Sequence, residues 1–335
     1  MSLRDQRARP LRGLRISVTD RCNFRCGYCM PAAAFGPEYR FLQRDELLTY
    51  EEIARLAALF AACGVVKVRL TGGEPLLRRD LPRLVAMLSK VAGIRDLALT
   101  TNGVLLAEQA AALKRAGLGR VTVSLDALEE DLFQAMSGVG AGVGKVLAGI
   151  EAAAAAGLAP VKINAVVRRG VNDRALVPLA RRFRGTGQIL RLIEYMDVGN
   201  TNGWRLDQVV PAAEMIARIG KVFPLEPLEP RHPGEVAQRW GYRDGGGEIG
   251  VIAAVSQPFC HACSRARLSP EGQLYTCLFA AQGVNLRGLM RAGADDETLS
   301  AAISAVWRAR VDRYSEQRTA ATCRRPKIEM SYIGG

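Results

Sequence analysis

What this chain lacks narrows its class before any motif is read. No apolar run approaches the ~20 residues a bilayer crossing needs, so a membrane-spanning protein is not expected. The Arg-rich start, residues 1–13, carries no apolar h-region. No secretory signal is therefore expected, and a soluble, cytoplasmic protein is. Lysine is scarce, supplying 7 of the 46 basic residues against 39 arginines. Eight cysteines in 335 residues are too few for a disulfide scaffold. No internal repeat is convincing, and EAAAAAG at 151–157 reads as an Ala-rich helix.

What is present is an ordinary globular composition, 49% hydrophobic and 24% charged. It suffices for about two domains or one α/β barrel. The net charge is +13. Genomic base composition explains part of an arginine excess; the bidentate fit of guanidinium to phosphate explains the rest and suggests an anionic partner. Net charge alone does not separate a nucleotide from nucleic acid or an acidic surface.

Short β-branched runs at 14–19, 66–71, 96–101, 120–125, 161–167 and 189–195 predict strands. Between them, 51–62, 80–90, 107–116, 143–156 and 173–184 predict helices, with a short extra one at 128–136. Strands separated by single helices pair in parallel through right-handed crossovers. The expected fold is α/β, an incomplete (β/α)6 barrel two units short of closure. Residues 197–260 change character, with HPGE and RDGGGEIG as turn signals. A basic hairpin, SRARLSPEGQLYTC, turns at Pro270–Gly272; a helix over 298–315 and the ending MSYIGG follow. The expected division is a barrel at 1–220 and a C-terminal α+β domain at 221–335, lying across the open mouth.

Six of the eight cysteines fall into two clusters. Cys22, Cys26 and Cys29 form C-x3-C-x2-C in the loop after the first strand, at the carboxyl end of a parallel sheet where α/β sites lie. Three thiolates on one short loop hold three irons of a 4Fe–4S cluster and leave the fourth iron open to a small molecule. A structural zinc would call for a fourth ligand, and none is nearby. Cys260, Cys263 and Cys277 form C-x2-C-x13-C, again three thiolates. A second 4Fe–4S cluster is preferred there, with a zinc site completed by His261 as the alternative. Cys63 and Cys323 stand alone and read as ordinary thiols.

C-x3-C-x-aromatic-C after a first strand resembles the signature of radical S-adenosylmethionine (SAM) enzymes. Thr71-Gly72-Gly73-Glu74-Pro75 resembles their GGEP motif, in which glycines admit a ligand to the backbone and a carboxylate can meet an ammonium. The resemblance implies a cluster held by Cys22, Cys26 and Cys29, and SAM held by Tyr28, Gly73, Glu74, Ser124 and Met196.

Further features resemble one branch of that family, the GTP 3′,8-cyclases of molybdenum cofactor biosynthesis. They are the opening LRISVTDRCNFRCGYCMP, the second triad, the Ser264-Arg265-Ala266-Arg267-Leu268 that follows Cys263, and the final Gly334-Gly335. The likeness spans nearly the whole chain; 225–247 is the stretch without a match. It implies a second cluster on Cys260, Cys263 and Cys277, and GTP contacts at Arg15, Arg69, Thr100 (with Thr101 one register away), Lys162, Arg265, Ala266 and Arg267. It gives catalytic roles to Arg15, Arg265, Arg267, Gly334 and Gly335, the diglycine tail entering the site rather than remaining a disordered end. On a strand Arg265 and Arg267 share a face. Any one inward cation is most simply paired with a carboxylate, but for the set together a triphosphate is the partner. The same resemblance implies a reductant such as a flavodoxin or ferredoxin, a downstream cyclic pyranopterin monophosphate synthase, a homodimer as an open question, and neither nucleic-acid nor membrane partners. The rivals are a radical SAM enzyme acting on a peptide or another substrate, and a basic zinc protein whose nucleic-acid binding is salt-dependent.

Overall fold

The computed structural model describes residues 3–140, 142–232 and 234–334. Its strands are β1 Gly13–Ser17, β2 Lys67–Thr71, β3 Asp96–Thr101, β4 Arg120–Ser124, β5 Lys162–Val167, β6 Ile189–Glu194, β7 Leu225–Leu228, β8 Gln238–Tyr242, β9 Glu248–Ile252, β10 Arg265–Leu268, β11 Gln273–Tyr275 and β12 Val284–Asn285. The helices are α1 Tyr50–Ala62, α2 Leu81–Ser89, α3 Leu106–Arg115, α4 Glu130–Ser137, α5 Val143–Ala155, α6 Leu176–Phe183, α7 Ala212–Gly220, α8 Leu286–Arg291, α9 Asp296–Arg308, α10 Ala320–Cys323 and α11 Met330–Ile333. None of these is long and apolar enough to cross a membrane.

Strands β1 to β6 pair in order and in parallel, each joined to the next through helix, as the expected (β/α)6 partial barrel requires. The C-terminal residues do not form a separate layer. Strand β9 adds to β6 and β10 adds to β1, both in parallel, and antiparallel hairpin partners extend each edge. The order is β12-β11-β10-β1-β2-β3-β4-β5-β6-β9-β8-β7, a sheet that curls without closing. The expected boundary at 220 therefore falls inside one continuous sheet.

The helices cap and pack as their sequences dictate. Thr49 and Glu52 form a reciprocal capping box at the start of α1, satisfying two otherwise orphaned N–H groups. Leu14, Ile16, Val68 and Ile163 on strands meet Ile53, Leu56, Leu84 and Ile150 on helices in one core. Each such side chain contributes roughly 1.5–3 kcal/mol. The inner face differs. Along β5, Ile163, Ala165 and Val167 are buried while Lys162, Asn164 and Val166 remain partly exposed, so the interior is a polar lumen rather than a packed core.

One expected helix is shorter than its periodicity suggests. The helix over 298–315 starts earlier, with Asp295 capping Thr298 N, and ends at Arg308. Beyond it the chain turns so that the Arg310 guanidinium is buried against Asp5 and Asp312.

Candidate active site

The first triad sits where β1 ends. Gly72 and Gly73 at the end of β2 lie against this loop: Gly73 N donates to Thr19 O at 2.9 Å and Glu74 N to Arg21 O at 2.8 Å. A Cβ at Gly73 would collide with the Arg21 carbonyl, and Gly72 has φ +145°, so both positions demand glycine. Cys22, Cys26 and Cys29 line one small cavity with Gly73, Phe24, Met30 and, from α11, Ser331. Its walls are mostly apolar. Burial pushes the Cys22 thiol up to about 11 and raises Cys26 and Cys29 further. Such a nest disfavours free thiolates and suits them only when iron supplies the balancing charge. Among the described residues no three His, Cys, Asp or Glu converge on a single-ion position, as mononuclear zinc would need. Three cysteines around one cavity, with no fourth protein ligand there, fit a 4Fe–4S cluster with one open iron.

Glu74 braces the frame around this loop. Its carboxylate is 1% exposed and accepts from Leu76 N at 2.9 Å, Thr101 Oγ1 at 2.7 Å and Asn102 N at 2.7 Å. Burial still pushes it up to about 7. Both oxygens thus brace the ends of β2 and β3, and Gly73 is the residue of this motif that lines the cavity. Tyr28 donates to Asp126 Oδ2 at 2.8 Å, while Asp126 Oδ1 accepts from Val166 N at 2.8 Å. The ring of Tyr28 is thereby tied to the end of β4, where Ser124 lies. Met196 follows β6, its carbonyl accepting from Asn202 Nδ2 at 3.0 Å.

The lumen is lined with cations. Arg15 registers with Arg267 on one side and Arg69 on the other. Arg69 Nη1 donates to Thr100 Oγ1 at 2.8 Å and Thr122 Oγ1 at 3.0 Å. Thr101 points elsewhere, to Glu74, which separates the two neighbouring threonines. Lys162 registers with Thr122, and Arg191 reaches the same hydroxyl at 3.2 Å. Asp96 at the start of β3 is taken by Arg120 and by Lys67 at 3.2 Å. Burial, reinforced by neighbouring cations, pulls Arg15 well down, Arg69 to about 10, Arg191 and Arg267 to about 9 and Lys162 to about 7. Like charges this desolvated lack a partner that a polyanion can supply. Arg191 and Lys67 were not singled out by sequence; their signal was an inward strand position, the same one that marked Arg15 and Arg69.

The second triad lies at the other end of β1, not over the mouth that carries the first. Cys263 immediately precedes the Ser264 carbonyl that accepts from Arg12 N and Gly13 N, where β1 begins. Strand β1, five residues and roughly 16 Å long, thus lies between the ends of the lumen that carry the two triads. Arg265 Nη2 is 3.7 Å from Cys263 Sγ. Although burial opposes it, Arg265 and Arg310 pull the Cys263 thiol down to about 6, whereas burial pushes Cys277 up to about 12. Thiolates beside guanidinium suit a second cluster, and His261, 72% exposed at its side chain and turned to Glu316, does not complete a zinc site. Ala266 is buried with its side chain outward of the two arginines, so only its backbone can reach the lumen. Gly334 O accepts from Arg267 Nη1, and a Cβ at Gly334 would strike the Thr71 methyl. The tail thus enters the lumen between β2 and β10; Gly335 lies outside the described residues. Of the two lone cysteines, Cys63 caps α1 beside Ser304, and Cys323 is raised by burial and by Asp197.

Comparison with known proteins agrees with this geometry. The Radical SAM superfamily model matches residues 16–183 and the Molybdenum Cofactor Synthesis C model residues 188–316. The GTP 3′,8-cyclase of Acidothermus cellulolyticus is 55% identical over 99% of both chains. That of Xanthomonas campestris pv. campestris is 51% identical over 99% of this chain and 97% of its own, and that of Staphylococcus aureus 47% over 99% of both. Among solved structures, Streptococcus suis SuiB bound to S-adenosylmethionine superposes with a TM-score of 0.51 at 18% identity, over 64% of this chain and 47% of that one. That likeness concerns the fold alone. The full-length identities go further: the chain belongs to the GTP 3′,8-cyclase family of radical SAM proteins, which use SAM and two 4Fe–4S clusters.

Proposed function

We propose that this chain cyclises GTP. Hydrogen leaves ribose C3′, C3′ bonds to guanine C8, and one electron and one proton complete 3′,8-cyclo-7,8-dihydroguanosine 5′-triphosphate, the first step toward the molybdenum cofactor. The observation that carries the reading is the lumen, where Arg69 and Arg267 are buried, Arg15, Arg191 and Lys162 half-buried, and none of the five forms an ion pair with a carboxylate among the described residues. What the bound clusters and SAM supply is one-electron chemistry, the 5′-deoxyadenosyl radical that takes the C3′ hydrogen.

The protein's own contribution is placement. Cys22, Cys26 and Cys29 hold the first cluster, with Gly73, Tyr28, Ser124 and Met196 around SAM and Glu74 bracing their frame. Cys260, Cys263 and Cys277 hold the second cluster, against which the guanine is oriented. Arg69, Arg191, Lys162 and Thr100 grip the triphosphate by charge-assisted hydrogen bonds. Arg15, Arg265 and Arg267 stand nearer the second triad, the backbone of Ala266 between them, and Gly334 closes the lumen beside Thr71. Residues 1–220 then serve SAM and residues 221–335 serve the base. A low-potential carrier such as flavodoxin or ferredoxin supplies the electrons, a cyclic pyranopterin monophosphate synthase consumes the product, and the cytoplasm is the compartment.

The test uses GTP deuterated at C3′ in an anaerobic turnover with SAM and dithionite. The proposal expects deuterium in 5′-deoxyadenosine and a product isomeric with GTP. Deuterium-free 5′-deoxyadenosine without that product would contradict it.

A further inference from the structure

The loop bearing Cys260 and Cys263 has little regular structure of its own, a single 3-10 turn over Cys260–Ala262 ahead of β10. Its carbonyls are fixed from outside. Arg9 Nη1 donates to Cys260 O at 2.8 Å and to Asp312 O at 2.6 Å. Arg310 Nη1 donates to Cys263 O at 2.7 Å. Asp5 Oδ2 holds both guanidiniums, Arg9 Nε at 2.6 Å and Arg310 Nη1 at 3.3 Å. Asp312 completes the set: its Oδ2 accepts from Arg310 Nε at 3.3 Å and from Thr276 Oγ1 at 2.5 Å, and Thr276 precedes Cys277. Every ligand of the second triad therefore touches this network, directly or through its neighbour.

The network joins the two ends of the chain. Asp5 and Arg9 belong to the N-terminal arm, Arg310 and Asp312 to the turn after α9. Trp307 of α9 donates its indole N–H to Arg9 O at 3.2 Å, and Arg310 lies over the Trp307 ring at 4.6 Å. The side chains of Asp5, Arg9 and Arg310 are 0%, 2% and 1% exposed. Charges so deeply buried persist only when paired and hydrogen-bonded, and two aspartates balance two arginines here. A loop without ladder hydrogen bonds takes its shape from such outside partners.

We propose that the Asp5–Arg9–Arg310–Asp312 network positions the second iron–sulfur cluster, setting where Cys260, Cys263 and Cys277 present their sulfurs. These are positioning residues: Arg9, Asp5 and Asp312 act on the ligands' backbone or its neighbours, and Arg310 on the Cys263 carbonyl and thiol, while none is itself a cluster ligand. The proposal rests on those three cysteines being cluster ligands, so its test includes a variant that probes this separately.

The experiment compares the full-length protein with Arg9→Ala, Arg9→Lys and Cys277→Ser, all purified and reconstituted anaerobically. Iron and sulfide per chain are measured, with electron paramagnetic resonance of the reduced protein with and without SAM. Cys277→Ser and Arg9→Ala should each lose about half the iron by losing one of two clusters, while the SAM-responsive signal of the first cluster stays. Arg9→Lys, which keeps the charge but not the two-pronged donor, should recover part of the iron with an altered second signal. Full iron and an unchanged second signal in Arg9→Ala, beside half the iron in Cys277→Ser, overturns the network alone. Parallel loss of both clusters in Arg9→Ala also overturns it, because a general brace of the fold would behave that way. Full iron with an unchanged second-cluster signal in Cys277→Ser overturns the ligand reading and the proposal with it, because a serine oxygen in place of the sulfur would alter that signal.

Discussion

The two cysteine triads have the same number of thiols in opposite surroundings. The first lies in a mostly apolar cavity walled by Phe24 and Met30, and burial raises all three of its thiols. The second is threaded by arginines, and Arg265 and Arg310 overcome burial to lower Cys263 to about 6. Three thiols alone therefore do not define a site's task. An apolar nest with a glycine wall admits a ligand to an open iron and offers no charge of its own to an anion. A nest that opens onto Arg265, Arg267 and Arg15 sets positive charge beside its thiols and draws an anion toward that end. In the proposed reading the first end starts the radical chemistry and the second end holds what the radical acts upon.

The largest expected effect falls on the apolar end. Cys22→Ala should abolish both 5′-deoxyadenosine and the GTP-derived product, measured by chromatography with mass detection. Persistent 5′-deoxyadenosine would break the division of labour. On the cationic side, Arg191→Ala removes a half-buried donor, and charge-assisted hydrogen bonds are worth roughly 1.5–3 kcal/mol. The KM for GTP should rise about ten- to a hundredfold while slow SAM cleavage without GTP is unchanged.

Lys162 sharpens the comparison through pH. Burial, then repulsion from Arg191 and Arg120, brings it down to about 7. A bound triphosphate raises it again, so binding above pH 7 must take up a proton. Affinity for GTP should weaken by up to about tenfold per pH unit above 7, levelling off at the bound-state value. Below 7 Lys162 is protonated in both states and contributes no slope. Calorimetric titration checks this, and Lys162→Met should remove that slope. The smallest effect is expected at Tyr28→Phe, which loses the hydrogen bond to Asp126 for about 1 kcal/mol of stability in denaturant unfolding and leaves the first cluster bound.

The barrel was legible because period and punctuation agreed. Strand β3 runs Asp96–Thr101 as read, and α5 differs from its expected range only by Ala156. The edges were legible only in part. The β10–β11 hairpin was read from SRARLSPEGQLYTC, but not its addition to β1, and residues 248–252 sit beside a glycine-rich turn that reads as loop until they pair with β6. The end of α9 was overrun because Ala309–Ser315 keeps helical periodicity until the buried contacts of Arg310 pull the chain aside. Within the site, Glu74 was visible as a motif residue, but its bracing of Thr101 and Asn102 is a tertiary fact. Asp5 and Arg9 gave no local signal, since their partners lie some three hundred residues away.

The measurement that bears most directly on the two-ended account is anaerobic turnover of Cys277→Ala with SAM, dithionite and GTP. The account predicts 5′-deoxyadenosine without a product isomeric with GTP, because the apolar triad still works while the cationic one no longer orients the base. Undiminished GTP-derived product, or loss of 5′-deoxyadenosine from protein that retains the first cluster, would contradict it.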